Sequence, residues 1–427
     1  MLFKHLQSLA PTDPQRRRLL QQGLTLSGVV ASGLSLHGCG ADRGTSGALG
    51  ASLGKIGDLL PPDENKVALP PGFRSRIIAR TGEVVAGSNY TWHVDPDGGA
   101  TFPTSDGGWI YVSNSEETPG GVGALRFDKD ANIIDAYAIC ANTRNNCAGG
   151  PTPWGTWITC EESEGGYAIE CDPYGELEQR ELPAMGRYNH EAVAIDPLHQ
   201  TAFLTEDRGD GGFYKCVPSQ YPDFATGELY IAEIIDDQLP APSKVIWNKV
   251  DDPSANTFEL INPLNPSQRL VTERNPTRQQ TSYTPFNGGE GIWYFQGIIY
   301  FSTKGDSRIW AYDTVNETIE LVYDLATQTL AEGEVPPLFE VDNVTVSGSG
   351  DVIVAEDRGD LRLVVIAPDR SLKTLVKVHH SGSELTGPAF SPDGRFLYFS
   401  SQRGDNDEGG ITYEITLPAN LVTPVAI

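Results

Sequence analysis

Residues 342–366 read DNVTVSGSGDVIVAEDRGDLRLVVI, and the fold class follows from them. Val344-Thr345-Val346 is a strand-forming run, Ser347 to Gly350 a turn, and Val352 to Ala355 a second run that ends on Glu356-Asp357. The turn Arg358-Gly359-Asp360 then leads into a third run, Leu361 to Ile366. β-Branched residues favour strands, and Gly, Ser and Asp supply the backbone freedom and local hydrogen bonds of tight turns. Five further segments share this plan: Phe102 to Phe127, Trp154 to Cys171, His190 to Cys216, Glu290 to Asp313 and Thr386 to Ile415. The last four units carry Arg or Lys before Gly-Asp, as Arg208-Gly209-Asp210, Lys304-Gly305-Asp306, Arg358-Gly359-Asp360 and Arg403-Gly404-Asp405.

Self-similar three- or four-stranded units at a spacing of roughly 40 to 50 residues are the signature of a β-propeller. No helical period follows the N-terminal segment. The expected fold is therefore all-β, a six-bladed β-propeller with inserted loops occupying residues 67–427. The run Gly72 to Ala79 would complete the last blade and close the ring, removing an open sheet edge. Residues 217–287, rich in Pro, Asn and Gln, do not fit the repeat. They are expected to supply blade-edge strands and an insertion that lies over the site as a lid.

At 427 residues and 39% hydrophobic content the chain can bury a large core. Its net charge of −26 argues against nucleic acid and anionic membrane surfaces as partners, because both attract positive fields. Residues 1–39 read as an address. Gln15-Arg16-Arg17-Arg18-Leu19-Leu20 matches a twin-arginine export signal ahead of a mildly apolar stretch, Gly23 to Leu36. Leu36-His37-Gly38-Cys39 is similar to a lipobox, so either a lipid anchor at Cys39 or simple cleavage is expected, with residues 40–66 as a tether. An extracytoplasmic protein exported in the folded state follows from this reading.

Cys140, Cys147, Cys160, Cys171 and Cys216 remain, an odd number in a compartment that permits disulfides. Cys140 with Cys147 and Cys171 with Cys216 is one pairing among several; it leaves Cys160, which two acids follow. There is no P-loop, HExxH or CxxC. The one G-x-S-x-G match, Gly50 to Gly54, lies in the tether without a strand before it.

Aligning the units on the Gly-Asp turn brings the ends of the second strands into register. They read Asn114-Ser115-Glu116-Glu117, Cys160-Glu161-Glu162, Glu206-Asp207, Ser302-Thr303, Glu356-Asp357 and Ser401-Gln402. A second set, at the start of the first strands, reads Glu191, Glu290, Asn343 and Gly387. In a propeller such positions converge on one channel. Two like charges about 4 Å apart repel by about 4 kcal/mol at an effective dielectric near 20, so converging acids require cations among them. Oxygen ligands suit calcium, whereas a thiolate with carboxylates suits iron. Alternation along each strand sends one acid of every adjacent pair away from the channel.

TPWGTWITCEE at 152–162, GRYNHEAVAID at 186–196 and the TED and AED strand ends at 205–207 and 355–357 resemble the PhoX-type alkaline phosphatases. The resemblance implies a six-bladed propeller that hydrolyses phosphate monoesters at a channel cluster of Ca2+ and Fe3+. On matching positions, Cys160 would bind iron with Glu191 and Glu290. Glu116, Glu161, Glu206, Asn343 and Glu356 would bind calcium, with Asp207, Asp357 and Asn114 as further candidates. Lys304, Arg358 and Arg208 stand in turns suited to contact phosphate, Lys304 replacing an acid of the aligned pattern. A monomer acting on small-molecule phosphate esters is the expectation. The competing readings are a calcium-dependent propeller lactonase or phosphotriesterase, and a non-catalytic cell-surface binding propeller.

Overall fold

The computed structural model describes residues 51–255, 258–262, 265–272, 277–331, 333–404 and 409–425; within these, side chains of 258–272 are not described. The twin-arginine segment, Cys39 and Asp405 lie outside the described residues. Among the described residues helix is confined to three-residue 3-10 turns, and the other regular structure is antiparallel strand.

Four blades and one larger sheet surround an axis. The first blade runs Pro96–Pro103, Trp109–Ser115, Gly120–Phe127, Ile133–Thr143, and the second Asn146–Pro151, Trp157–Glu161, Ala168–Cys171, Arg180–Glu181. Another comprises Val341–Val346, Val352–Glu356, Arg362–Ile366 and Leu372–Val378, with Val67–Ala68 added at its edge. The last, Leu385–Phe390, Phe396–Ser401 and Ile411–Thr416, takes its outer strand from Arg74–Arg80 near the other end of the chain. That pairing closes the ring as the run at 72–79 led us to expect.

The expectation of six separate blades is corrected here. Residues 190–324 form one nine-stranded sheet. His190–Asp196, Thr201–Glu206, Phe213–Gln220 and Asp223–Asp236 make one half, and Thr318–Asp324, Arg308–Asp313, Ile298–Thr303 and Gly289–Phe295 the other. Ser243–Lys249 pairs with Asp223–Asp236 on one side and with Thr318–Asp324 on the other. The long strand at 223–236 exposes an edge that 243–249 satisfies, and its other edge finds the outer strand of the next unit. Of residues 217–287, these strands extend the sheet, and Phe258–Asn262 with Asn265–Thr272 forms a separate hairpin.

Alternate residues of each second strand pack on opposite neighbours. Trp109 and Tyr111 join Tyr398 and Ala389 of the last blade, whereas Ile110 and Val112 join Trp157 and Ile169 of the second. Val352 and Val354 likewise face Ile309 and Tyr323, while Ile353 and Ala355 face Leu397 and Tyr413. Both faces are buried, so these strands read as unbroken apolar runs. The inner strands meet in the order 96–103, 146–151, 190–196, 289–295, 341–346, 385–390, and the last returns to the first.

Each inner strand carries a register break at the same place. The breaks fall between Pro96 and Gly99, Asn146 and Gly149, His190 and Val193, Gly289 and Ile292, Val341 and Val344, and Thr386 and Ala389. Such bulges bend a strand and re-aim the side chains they contain. A small residue or proline sits in each: Gly98, Ala148, Ala192, Gly291 or Pro388, with Asn343 the exception. A Cβ on Gly98 would lie 2.5 Å from Cα of Ala148, and one on Gly291 2.4 Å from the Val344 nitrogen. The inner strands approach this closely because side chains are missing there.

Candidate metal centre

The bulge residue before each small residue is chemically active. They are Asp97, Cys147, Glu191, Glu290 and Asp342, with Gly387 in the sixth strand. A second tier comes from the residue just beyond each second strand: Glu116, Glu162, Asp207, Lys304, Asp357 and Gln402. Ligand atoms from these tiers gather in four overlapping groups, each within 4.8 Å. The groups are Asp97–Glu116–Cys147, Cys147–Glu162–Glu191, Glu191–Glu290–Asp342 and Asp342–Asp357–Glu384. Shared members make them one continuous arc around the axis.

Burial and mutual repulsion dominate its electrostatics. Burial, reinforced by Asp207 and Glu116, raises Glu162 from an ordinary 4.5 to about 8. Burial and the neighbouring Asp342 and Asp357 raise Glu384 to about 10. Asp342 is raised to about 7 by burial against the opposing pull of Lys304. Asp97, Glu191 and Glu290 are likewise pushed well up, burial being the main cause. Burial followed by Asp97 and Glu191 does the same to the Cys147 thiol, whose Sγ lies 3.7 Å from Asp97.

Glu191 is fully buried and neither of its carboxylate oxygens meets a protein donor. An unpaired buried carboxylate costs several kcal/mol, so its retention calls for a cation. The donor set fits: one thiolate among carboxylates suits a soft or redox-active ion, and the oxygen-only groups suit a hard one. Lys304 partly fills the need. Its Nζ lies 2.8 Å from Glu290, 3.6 Å from Asp357 and 3.9 Å from Asp342. Burial opposes its charge, but these carboxylates hold the ammonium well above its usual range.

Of the residues expected in the site, the structure brings Glu116, Glu191, Glu290 and Lys304 together. Cys160 is elsewhere: it is buried with Ile158, Ala168, Met185, Tyr188 and Cys216 in the apolar layer between blades, and the thiol of the arc is Cys147. Glu161, Glu206 and Glu356 also point away, one residue out of phase. Glu161 accepts from the amides of Arg144 and Tyr167 at 3.0 and 3.1 Å. Glu206 is held by Arg278, Tyr214 and the Gly212 amide, and Glu356 by Arg362 at 2.6 and 2.8 Å. Each is a satisfied carboxylate that ties down the next turn, and its neighbour Glu162, Asp207 or Asp357 turns to the axis.

Asn343 lies beside the arc, with Nδ2 donating to Asp342 at 2.9 Å and Oδ1 accepting from the Gly387 amide. Asn114 spans the first two blades through Trp157 and Thr159. His190 stacks on Tyr188 and bonds the Gly186 carbonyl at 3.1 Å, a structural role. Arg358 is largely exposed beside Asp357, 3.6 Å away. Arg208 is committed to Glu164 and Asn189, at 2.5 and 3.0 Å. Arg403, passed over in the sequence, contacts Glu116 at 2.8 Å and Glu384 at 3.3 Å.

Sequence reasoning also missed Asp97, Cys147, Glu384 and Asp342, the last being the neighbour of the expected Asn343. The signal was an acid or thiol followed by a small residue: Asp97-Gly98, Cys147-Ala148, Glu191-Ala192, Glu290-Gly291. The pairing Cys140–Cys147 with Cys171–Cys216, one of several open in the sequence, is not the arrangement in this structure. In this structure the five described cysteines carry free thiols, Cys147 facing the axis and Cys216 donating to the Ala184 carbonyl at 3.4 Å.

Among solved structures the chain is similar to PhoX of Pseudomonas fluorescens in complex with vanadate. The identity is 14% and the TM-score 0.67, with 86% of this chain and 98% of that one covered. A Bacteroides thetaiotaomicron protein of unknown function matches at 8% identity and TM-score 0.47, covering 81% of this chain and 76% of that. A gluconolactonase of Xanthomonas campestris matches at 13% and 0.43, covering 85% and 98%. No curated protein sequence matches. The first of these supports the propeller-like all-β fold. The family model for alkaline phosphatase PhoX matches residues 118–405, a stretch that contains all but Asp97 and Glu116 of the arc. The chain therefore belongs to the alkaline phosphatase PhoX family and is a phosphatase.

Proposed function

We propose that this protein hydrolyses phosphate monoesters of small molecules at a mixed calcium and iron centre on the propeller axis. The observation that carries the metal reading is Glu191, buried, with both oxygens unpartnered, shared between the thiol-bearing group and the oxygen-only group. Cys147 with Asp97, Glu116, Glu162 and Glu191 would hold Fe3+, and Glu290, Asp342, Asp357 and Glu384 would hold Ca2+. Such ions, when bound, polarise phosphoryl oxygens and lower the pKa of bound water.

The chain's own groups prepare the site for a dianion on a strongly acidic protein. Lys304 and Arg403, each in contact with three carboxylates, place cations where acids would otherwise repel phosphate. Arg358, the most exposed of them, is free to swing onto a phosphoryl oxygen and neutralise developing charge. Arg208 serves the rim by fixing Glu164. A closed wall of inner strands excludes solvent from one side of the reacting group. The N-terminal twin-arginine pattern supports work outside the cytoplasm as a folded, metal-loaded monomer.

The test is turnover of p-nitrophenyl phosphate against bis(p-nitrophenyl) phosphate, with elemental analysis of protein purified without chelator. Iron plus calcium with a strong preference for the monoester is expected. Calcium alone, or no monoester turnover by protein loaded with both metals, would sink the proposal.

A further inference from the structure

Two thiols outside the centre adjoin each other across a blade interface. Cys140 lies in the outer strand of the first blade and Cys171 in the third strand of the second, and their thiol groups are in contact. Both are buried in the apolar layer of Val122, Ala124, Trp157 and Ile169. The strands around them are pinned on either side of the pair. Tyr137 Oη donates to the Pro173 carbonyl at 3.0 Å. Beyond Cys140, the Ala141 amide donates to Gln179 Oε1 at 2.9 Å, and Gln179 Nε2 returns a bond to the Ala141 carbonyl at 3.1 Å. The backbones are thus held in place on both flanks of the sulfurs, and a covalent bond asks little movement of them.

We propose that Cys140 and Cys171 form a disulfide that clamps the first blade to the second. Both S–H bonds break and one S–S bond forms. Two electrons and two protons pass to a low-molecular-weight disulfide such as oxidised glutathione, which leaves as two thiols. The pairing leaves three thiols. Cys147 stays a thiol for the centre, while Cys160 and Cys216 stay shielded between the second blade and the adjoining sheet. The Cys171 thiol is held well above its usual range, first by its contact with Cys140 and then by burial. The second blade carries Cys147 and Glu162, so the clamp also fixes the wall that bears the thiol of the centre. The inference does not depend on the proposed substrate.

Full-length protein is refolded with excess oxidised glutathione, denatured in iodoacetamide without reductant, and cut with trypsin and a glutamate-specific protease. A cross-linked pair joining residues 130–144 to 171–176 is expected, with Cys147 alkylated. Reduction by a phosphine should lower Tm by about 5 °C in the wild type and leave Cys140→Ala and Cys171→Ala unchanged. Alkylation of both Cys140 and Cys171 in the oxidised sample, or linkage of either to Cys147 or Cys216, would overturn the proposal.

Discussion

Stripping the metals should make this protein fragile in alkali, in a way the loaded protein is not. In the unfolded chain the acids of the arc ionise near 4, whereas in the folded, metal-free chain Glu162 holds its proton to about 8 and Glu384 to about 10. A raised folded-state value means that the stabilising contribution is complete below about pH 4.5 and drains away as pH rises through the folded value. For Glu162 the interval from 4.5 to about 8, at about 1.4 kcal/mol per pH unit, is worth about 5 kcal/mol. Asp342 gives a similar figure and Glu384, raised to about 10, a larger one. Each owes part of its shift to other members of the arc, so these do not add, and about 5 kcal/mol is the scale for the centre. Thermal unfolding followed by near-UV circular dichroism at pH 5 to 9, with EDTA or with calcium and iron, reads this out. Between pH 5 and 9 the EDTA-treated protein should lose on the order of 10 °C in Tm more than the loaded protein. Glu162→Gln should reduce that extra loss. The net charge of −26 gives both forms a common slope, so the difference between them is the measurement. Equal slopes would refute a carboxylate centre held together by cations.

Three further outcomes follow from particular contacts. Cys147→Ser should lose iron and p-nitrophenyl phosphate turnover together, while Cys160→Ala, deep in an apolar layer, should keep both and cost about 1–2 kcal/mol in urea unfolding; the reverse pattern would restore Cys160 to the centre. Gly98→Ala places a methyl group 2.5 Å from backbone of the next inner strand, which cannot yield without widening the ring. A loss of about 1–3 kcal/mol is expected, and a change within 0.5 kcal/mol would show the ring to be pliable. His190 is lowered to about 4, mainly by burial, so its neutral form stabilises the fold above pH 6.5. That contribution should decline by about 2 kcal/mol by pH 5. His190→Phe should flatten the acid limb of the stability profile, and an unchanged limb would show that the imidazole is not buried as a base.

The propeller-like fold was legible because its grammar is local. Val352 to Ala355 is apolar on every residue because both strand faces meet another sheet, and Arg358-Gly359-Asp360 can only be a turn. The joining of two units into nine strands was not legible, since Ser243–Lys249 meets Thr318–Asp324 through two residue pairs across a long stretch of chain. The site was legible in composition and misplaced in phase. Strict alternation from Ile158 correctly puts Cys160 on the same face, but that face looks at Met185 and Tyr188, not at the axis. Side chains reach the axis from two irregular places: the inner-strand bulge, which no period-two reading accommodates, and the first residue past the second strand, where the pleat has ended. Glu116 was right because it already lies past Ser115. Glu161, Glu206 and Glu356 are the last paired residues of their strands, and each missed by one.

The bulges themselves need no acids. The sixth unit builds the same register break with Gly387 and has Gln402 just past its second strand, buried. Gln402 even serves its neighbours, donating to Glu116 at 2.8 Å. The backbone of the ring therefore forms without an acid at these positions. Instead the chain places eight carboxylates and a thiol in the two tiers and allows them a single lysine. The departures are ordered. The thiol lies between Asp97, Glu162 and Glu191, and the lysine among Glu290, Asp342 and Asp357. One side of the ring is thus built for a cation that tolerates sulfur, and the other carries its own cation beside oxygen ligands. A structural ring would have kept the symmetry that its backbone provides, and the chemistry is what broke it.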